Sequence, residues 1–433
     1  MEESAGIVGC TTVTASYAAY ARVLAARWRE FHPNLPFCVL LLDGDPSALT
    51  GSGFDVLRAE DLGLSPGELQ VRRAIYDPFE LATSLKSELL RTLLAQGHDA
   101  VVFLDSDTGV YGNLEDVGVA AAEHGVALSP HMLRPPPRDG LFPGEVDMPL
   151  RYGVFNSGFI AVGRGATGFL EWWSDHVSRD CIDDLDSGLH VDQYWLQSVP
   201  AYFPHTILLD PTLHVAHWNV HERNLEYAEG EYLVDGAPLR TFHFSGFDPD
   251  HPDRLHRYAI PIPYRVEPDR SPALAQLLRD YATQLLEAGY RESRALGYAF
   301  ARSASGLQLG RWERAVYREA VLAHEAGAPV DLPSPFDPRD SEAFARLVDR
   351  GGTDSGLSPY AVRRLRDAKK VYAEHAAPGG LPSGRFALAR NYVRNRLLGG
   401  EHWLRLPTDR SAREYRPVAD GADPREDTPP ASR

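Results

Sequence analysis

Ala100-Val101-Val102-Phe103-Leu104-Asp105-Ser106-Asp107 is the stretch on which the reading of this chain turns. Five apolar residues in a row, followed by two carboxylates one residue apart, predict a fully buried strand that ends at a polar edge. Side chains alternate along extended backbone, so Asp105 and Asp107 point the same way if the chain stays extended. Two hard oxygen ligands at the carboxyl end of a central strand suit Mg²⁺ or Mn²⁺, which fill their remaining positions with water and phosphate oxygens. An Asp-x-Asp is also what a plain strand end followed by a turn looks like. The flanking sequence weighs against that plainer alternative.

Upstream, Gly6 to Thr12 predicts a first strand running into a polar loop. Residues Ala15 to Phe31 carry apolar groups at helical spacing, and His32-Pro33-Asn34 stops them. Phe37 to Asp43 predicts a second buried strand and Phe54 to Leu57 a third. Asp77-Pro78 opens a helix as cap and first-turn proline, striped by Leu81, Leu85, Leu89 and Leu93 and ended by Gly97. This alternation specifies an α/β fold with a mostly parallel central sheet covered on both faces, whose strand ends bind nucleotides.

Downstream, Val126 to Ser129 reads as a strand, followed by the Pro-rich Arg134-Pro135-Pro136-Pro137, a lid or acceptor surface. Gly153 to Val162 reads as a strand kinked by Asn156-Ser157-Gly158, since glycine inside a strand pattern marks close approach of a ligand or backbone. Helices are expected over Phe169 to Val177 and Val191 to Val199, and strands over Thr206 to Leu209 and Leu239 to Phe244. The expected organisation is an α/β domain over 1–268 and a helical C-terminal region over 269–406. Residues 407–433 are charged, Pro-rich and aperiodic, and are expected to be disordered. Candidate C-terminal helices are Ala273 to Ala288, Arg311 to Ala326, Ser341 to Arg350, Pro359 to His375 and Arg385 to Leu398.

The 433 residues suffice for two or three domains and a sizeable core. A net charge of -16 argues against general nucleic-acid binding. No stretch approaches the roughly 18 apolar residues of a membrane span, and Met1-Glu2-Glu3-Ser4 lacks a signal-peptide pattern. Cys10, Cys38 and Cys181 have no metal-type spacing, so a reducing, cytoplasmic location is expected. Among 44 basic residues only Lys86, Lys369 and Lys370 are lysines. Lys86 thus stands alone in the first 368 residues, which hints at a need for a compact ammonium there.

Several segments in this order resemble retaining glycosyltransferases of the GT-A fold, family eight, which includes glycogenin and the bacterial lipopolysaccharide galactosyltransferases. The matching pieces are Thr11-Thr12, Thr83 to Leu90 with its lysine, Phe103 to Thr108, Phe155-Asn156-Ser157-Gly158-Phe159, Val191-Asp192-Gln193 and His243-Phe244-Ser245-Gly246. They cover roughly residues 6 to 250. The resemblance implies a GT-A (Rossmann-like) domain that transfers a hexose from a nucleotide sugar, most often a UDP-sugar, to an acceptor hydroxyl with retention. It implies that Asp105, Asp107 and His243 hold Mn²⁺ or Mg²⁺ against the diphosphate, with Ser106 near the ribose. Thr11, Thr12 and Tyr17 fall where the family grips base and ribose, although Tyr17 also suits ordinary helix packing. Lys86 matches a basic position touching donor sugar or phosphate. Asn156, Ser157 and Gly158 would line the sugar, and Asp192 and Gln193 would flank the anomeric carbon. The acceptor would be a carbohydrate, a lipid-linked compound or a small molecule.

Alternatives stay open for some of these residues. His243 also reads as a packed histidine beside Phe242 and Phe244, and Lys86 as a solvated helix lysine. Asp180, Asp183, Asp184 and Asp186 look like a solvated acidic loop. Where the family carries Lys-Pro-Trp to bind diphosphate, this chain has Phe247-Asp248-Pro249-Asp250-His251-Pro252, and Arg254 or Arg257 are candidate substitutes. The run His214 to Arg223 reads as an acceptor-side wall or, more sharply, as a His-x-x-His-x-x-x-His zinc site. Ten basic against three acidic residues between Ser358 and Arg405 suit peripheral contact with an anionic membrane or an acidic acceptor, or simply a solvated face. Two other functions compete. One is a haloacid-dehalogenase-like phosphatase with Asp105 as nucleophile, although that pattern wants Thr or Val where Gly109 stands. The other is a catalytically weak protein that binds sugar nucleotides.

Overall fold

The computed structural model describes residues 6–49, 53–135, 152–185, 188–257, 268 and 271–350. Its centre is a seven-stranded sheet. The strand order is His205–Ile207, Val126–Pro130, Phe155–Gly163, Ala100–Leu104, Ile7–Val13, Phe37–Leu41 and Asp55–Arg58. Neighbours are parallel except for the two pairings that Phe155–Gly163 makes. The fold is therefore α/β with a mostly parallel sheet, as the strand and helix alternation requires.

The apolar run 100–104 shows how the sheet is held. Val101 and Phe103 face one core cluster with Leu81, Leu85 and Leu89, while Ala100, Val102 and Leu104 face a second with Leu24, Trp28 and Val117. Alternate side chains thus enter opposite layers, and a strand covered on both sides must be apolar throughout. The helix expected from Asp77 to Gly97 is two helices, Pro78–Ser84 and Lys86–Ala95, broken at Leu85. Asp77 caps the first by accepting from the Phe79 and Glu80 amides. The expected helix over Val191 to Val199 is a 3₁₀ segment, Gln193–Ser198, followed by the single turn Val199–Tyr202.

The strand Phe155–Gly163 carries the expected kink. Leu128 pairs with Ile160 but Ser129 pairs with Asn156, so Ser157, Gly158 and Phe159 are extra on one side. This bulge bends the strand next to the end of the Asp-x-Asp strand. A second small sheet pairs Thr108–Val110 antiparallel with Thr241–His243, which in turn lies parallel to Val215–Ala216.

The helices Pro272–Glu287, Tyr290–Arg294, Arg311–Glu325 and Ser341–Arg350 follow. Leu274, Leu278, Tyr281 and Leu285 share a buried cluster with Tyr20, Val23, Phe242 and Phe244. Tyr317, Val321, Phe344 and Val348 share one with Tyr76 and Val177. Pro359 to His375, Arg385 to Leu398, the tail from 407 and most of the Pro-rich segment after Arg134 lie outside the described residues.

Candidate functional site

The metal-type cluster is built by strand pairing. Thr108–Val110 continues from Asp107 and runs beside Thr241–His243 with Thr108 opposite His243. The Phe244 amide then donates to the Asp107 carbonyl at 2.8 Å. His243, distant in sequence, is thereby placed against the acidic pair. One ligand atom each from Asp105, Asp107 and His243 lies within 4.8 Å of the others. Nε2 of His243 is 3.1 Å from Asp107 and 3.9 Å from Asp105. Among the described residues no other group of three His, Cys, Asp or Glu side chains gathers this way. His214, His217 and His221 therefore do not form the zinc site considered above.

A cation fits these donors on grounds visible in the chain. Gly158 is one: a Cβ there would lie 2.5 Å from Asp105 Oδ2 and 2.8 Å from His243 Cε1, so only hydrogen leaves the carboxylate where it is. The second is the other ring nitrogen of His243. Its Nδ1 lies 3.1 Å from His214 Nε2, and His214 Nδ1 lies 2.7 Å from Ser129 Oγ. Burial, together with the nearby His243 and His131, holds the His214 pKa well below its ordinary value and keeps the ring neutral. With its proton on Nδ1, such a ring donates to Ser129 and accepts from His243 Nδ1–H, the tautomer that leaves Nε2 of His243 facing the carboxylates. A ligand histidine is oriented in this manner by its outer partner. Trp218 packs edge-on against His131, His214 and His243 and is only 6% exposed. The indole is therefore part of the support of His243 rather than an open wall for a sugar face.

Burial pushes the Asp105 carboxyl above its usual range, with Asp107 and Asp192 adding to the rise against Lys86 and His243. Burial would raise Asp107 as well, but the charge and hydrogen bond of His243, helped by Arg257, pull it below its ordinary value. Arg257 is exposed, and its amide donates to the Gly246 carbonyl at 2.8 Å. Of the two candidate substitutes for the missing lysine, it is the one whose charge reaches the acidic pair.

Beside the acidic pair lies a buried polar network. Lys86 is fully buried, which removes the solvated-lysine alternative. Its ammonium is 2.8 Å from Asp192 and 3.7 Å from Asp105, and it donates to the Ser157 carbonyl at 2.9 Å. It also stands 4.4 Å from the centroid of the Phe103 ring. Burial disfavours its charge, yet Asp192 and Asp105 outweigh this and raise its pKa. Asp192 accepts from Ser157 Oγ at 2.9 Å. Gln193 accepts from the Ser157 amide at 3.2 Å and donates to the Tyr152 carbonyl at 2.7 Å. Asn156 accepts from the Gly158 amide at 2.7 Å, and its Nδ2 is 3.1 Å from His131 Nε2. Val191 precedes Asp192 with φ 42, a left-handed conformation that a β-branched residue tolerates poorly.

Thr11, Thr12 and Ser106 are buried near the carboxyl ends of their strands, the Thr11 side chain fully so. Tyr17 stacks on Tyr20 at 4.9 Å, under the Arg294 guanidinium at 5.1 Å, so the helix-packing alternative describes its surroundings. The acidic residues 180 and 183 are engaged, Asp180 by Arg318 and Asp183 by His190 at 3.0 Å, while Asp186 lies outside the described residues. His214 and His131 were missed in these roles. His214 stands out in sequence only as part of the run to Arg223 and His131 not at all, because each acts through a partner on another strand.

No family model matches the sequence. Two proteins of Bacillus subtilis (strain 168), both described as uncharacterized, are similar to it. YfnF is 25% identical over 251 residues, 55% of this chain and 80% of that protein. YfnD is 25% identical over 175 residues, 39% of this chain and 54% of that protein. Among solved structures, the chain is similar to the galactosyltransferase LgtC in complex with donor and acceptor sugar analogs. The identity is 15% and the TM-score 0.38, covering 64% of this chain and 95% of that one. The glycosyltransferase GlyE of Streptococcus pneumoniae TIGR4 follows at 13% identity and TM-score 0.36, covering 68% and 66%.

Proposed function

We propose that this chain is a metal-dependent glycosyltransferase that moves a sugar from a nucleoside-diphosphate sugar, a UDP-sugar in the first instance, to an acceptor hydroxyl with retention. The observation that carries the reading is the meeting of Asp105, Asp107 and His243 at the end of the central strand, beside the buried Lys86–Asp192 pair. Asp105, Asp107 and His243 would hold Mn²⁺ or Mg²⁺. When bound, such an ion supplies positive charge that stabilises the departing diphosphate.

The remaining roles fall to the chain's own groups. Lys86 pairs with Asp192 at 2.8 Å and fixes the orientation of the carboxylate that would meet sugar hydroxyls. Asn156, Ser157 and Gly158 would line the sugar from the bulged strand, Gly158 letting that backbone pass close beside Asp105. Gln193, anchored at both ends of its amide, presents a fixed dipole beside the anomeric carbon. Thr11, Thr12, Tyr17 and Ser106 would border base and ribose. Arg257 is the side chain we assign to the diphosphate in place of the family's lysine. Retention rests on the family resemblance.

Asp250, in the segment that replaces Lys-Pro-Trp, is committed to Arg291 at 2.7 Å. The missing Lys-Pro-Trp itself favours a second reading, a protein that binds sugar nucleotides with little turnover. Calorimetric titration with UDP and UDP-sugars, with and without Mn²⁺, combined with detection of free sugar, separates the readings. Mn²⁺-dependent binding with donor hydrolysis or transfer supports the transferase, and binding alone supports the second reading. Absence of nucleotide binding, or phosphate release from simple phosphomonoesters, overturns both.

A further inference from the structure

The two partners of the Lys86–Asp192 pair sit on different arms of the chain. Lys86 follows the helix Pro66–Ile75, Tyr76 and the helix Pro78–Ser84. Asp192 follows the helix Thr167–Asp180 and a short hairpin of Asp183–Asp184 with Leu189–His190. Each arm therefore starts where a helix ends, and a helix C-terminus presents carbonyls that lack intrahelical partners.

Both ends are capped by one later helix, Arg311–Glu325. Arg314 donates to the carbonyls of Arg73 and Ala74, at 2.8 Å and 3.2 Å, and to that of Tyr76, all at the end of Pro66–Ile75. Its other nitrogens reach Leu309 and Phe300. Arg318 donates to the Arg179 carbonyl at 2.6 Å and pairs with Asp180, at the end of Thr167–Asp180. The two arginines are four residues apart on one helical face, and each is 4% exposed. A cation there also complements the helix dipole. The arms are further joined to each other: Glu80 accepts from the Asp183 amide at 3.1 Å, and Thr83 Oγ1 lies 3.2 Å from Cys181 Sγ.

We propose that Arg314 and Arg318 are positioning residues for Lys86 and Asp192, so that the helix 311–325 sets the geometry of the sugar-facing half of the site. The acidic pair and His243 are placed by strand pairing and do not depend on this brace. The left-handed Val191 is the point at which slack in the Asp180 arm would be released, because relaxing it removes strain while moving Asp192. The consequence for chemistry rests on the transferase reading, but the brace itself is testable without it.

The experiment compares Arg318→Ala and Arg318→Lys with the unaltered chain of residues 1–433, and Arg314→Lys as a parallel case. Amide hydrogen exchange is read first. Faster exchange across 181–192 in Arg318→Ala, with 100–107 unchanged and a smaller effect in Arg318→Lys, is the expected result. Unchanged exchange across 181–192, or a uniform rise that includes 100–107, overturns the brace. With donor turnover in hand, Arg318→Ala should lower kcat on the order of tenfold to a hundredfold, the scale of a misplaced group. Mn²⁺-dependent UDP affinity should stay within about twofold, since UDP lacks the transferred sugar that would meet Asp192. An equal loss of UDP affinity, or no loss of kcat, also overturns the proposal. If the unaltered protein neither binds nor turns over sugar nucleotides, the transferase reading fails while the exchange result still decides the brace.

Discussion

His214 shows how much a single side chain can add to a site without touching it. It holds His243 by one nitrogen and Ser129 by the other, and outer partners of this kind are worth about 10–100-fold in metal affinity. His214→Ala should therefore weaken Mn²⁺ binding by roughly tenfold or more. Asp105→Asn and His243→Ala should weaken it further, as read by calorimetry. Equal affinity in His214→Ala would show that His243 is held well enough by its strand alone. Arg257 and Arg254 make a paired test of the diphosphate contact. Arg257→Ala should raise the Kd for UDP, whereas Arg254→Ala should leave it unchanged. Equal values in both variants would return the clamp to the unassigned parts of the site.

Among elements, the bulged strand Phe155–Gly163 does the most. Its regular half, 159–163, lies against Ala100–Leu104 as ordinary sheet. Its irregular half turns Ser157 toward Lys86 and Asp192 and brings Gly158 under Asp105. Gly158→Ala puts a methyl 2.5 Å from Asp105 Oδ2 and 2.8 Å from both Asn156 Oδ1 and His243 Cε1, so three side chains, and not the backbone, must give way. The expected outcome is a protein that folds with little change in Tm but binds Mn²⁺ about tenfold more weakly or worse. A large drop in Tm with unaltered metal affinity would show that the backbone yields instead of the carboxylate.

For the molecule as a whole, acid stability follows from buried imidazoles. Burial, with the neighbouring His190 and His243, pushes the His131 pKa down to about 4 from its ordinary 6.5. The unfolded chain thus takes up this proton at higher pH than the folded one. The stability from keeping His131 neutral is complete above pH 6.5 and is lost as the pH falls through 4. Over that window the loss from this residue is about 3 kcal/mol. Thermal unfolding from pH 7 to pH 4 should show a falling Tm, and His131→Phe should flatten the slope whatever it does to the Tm at pH 7. An unchanged slope would mean that other groups govern the acid limb. Lys86 adds a second check, since Lys86→Met leaves Asp192 buried without its cation. Losing one partner of a buried pair costs about 3–5 kcal/mol, and chemical denaturation measures it.

The strand at 100–104 and its two faces were legible because burial on both sides demands an unbroken apolar run, and that demand is local. The Asp-x-Asp pair, the Asn-Ser-Gly kink and the lone Lys86 were legible for the same reason: each is an unusual residue type in a short stretch whose period is already known. The break at Leu85 was not, because Leu85 continues the leucine stripe and only packing interrupts the helix there. Nor were His214 and His131 as supports, or Arg314 and Arg318 as caps. Their partners are carbonyls and rings on elements far along the chain, and no spacing within one segment encodes which arginine of many will be drawn under a helix end. Which polar groups the chain carries is thus a matter of composition and local pattern. Which of them meet is settled only when strands pair and helices dock, since a hydrogen bond acts over a few ångströms of space and not along the sequence.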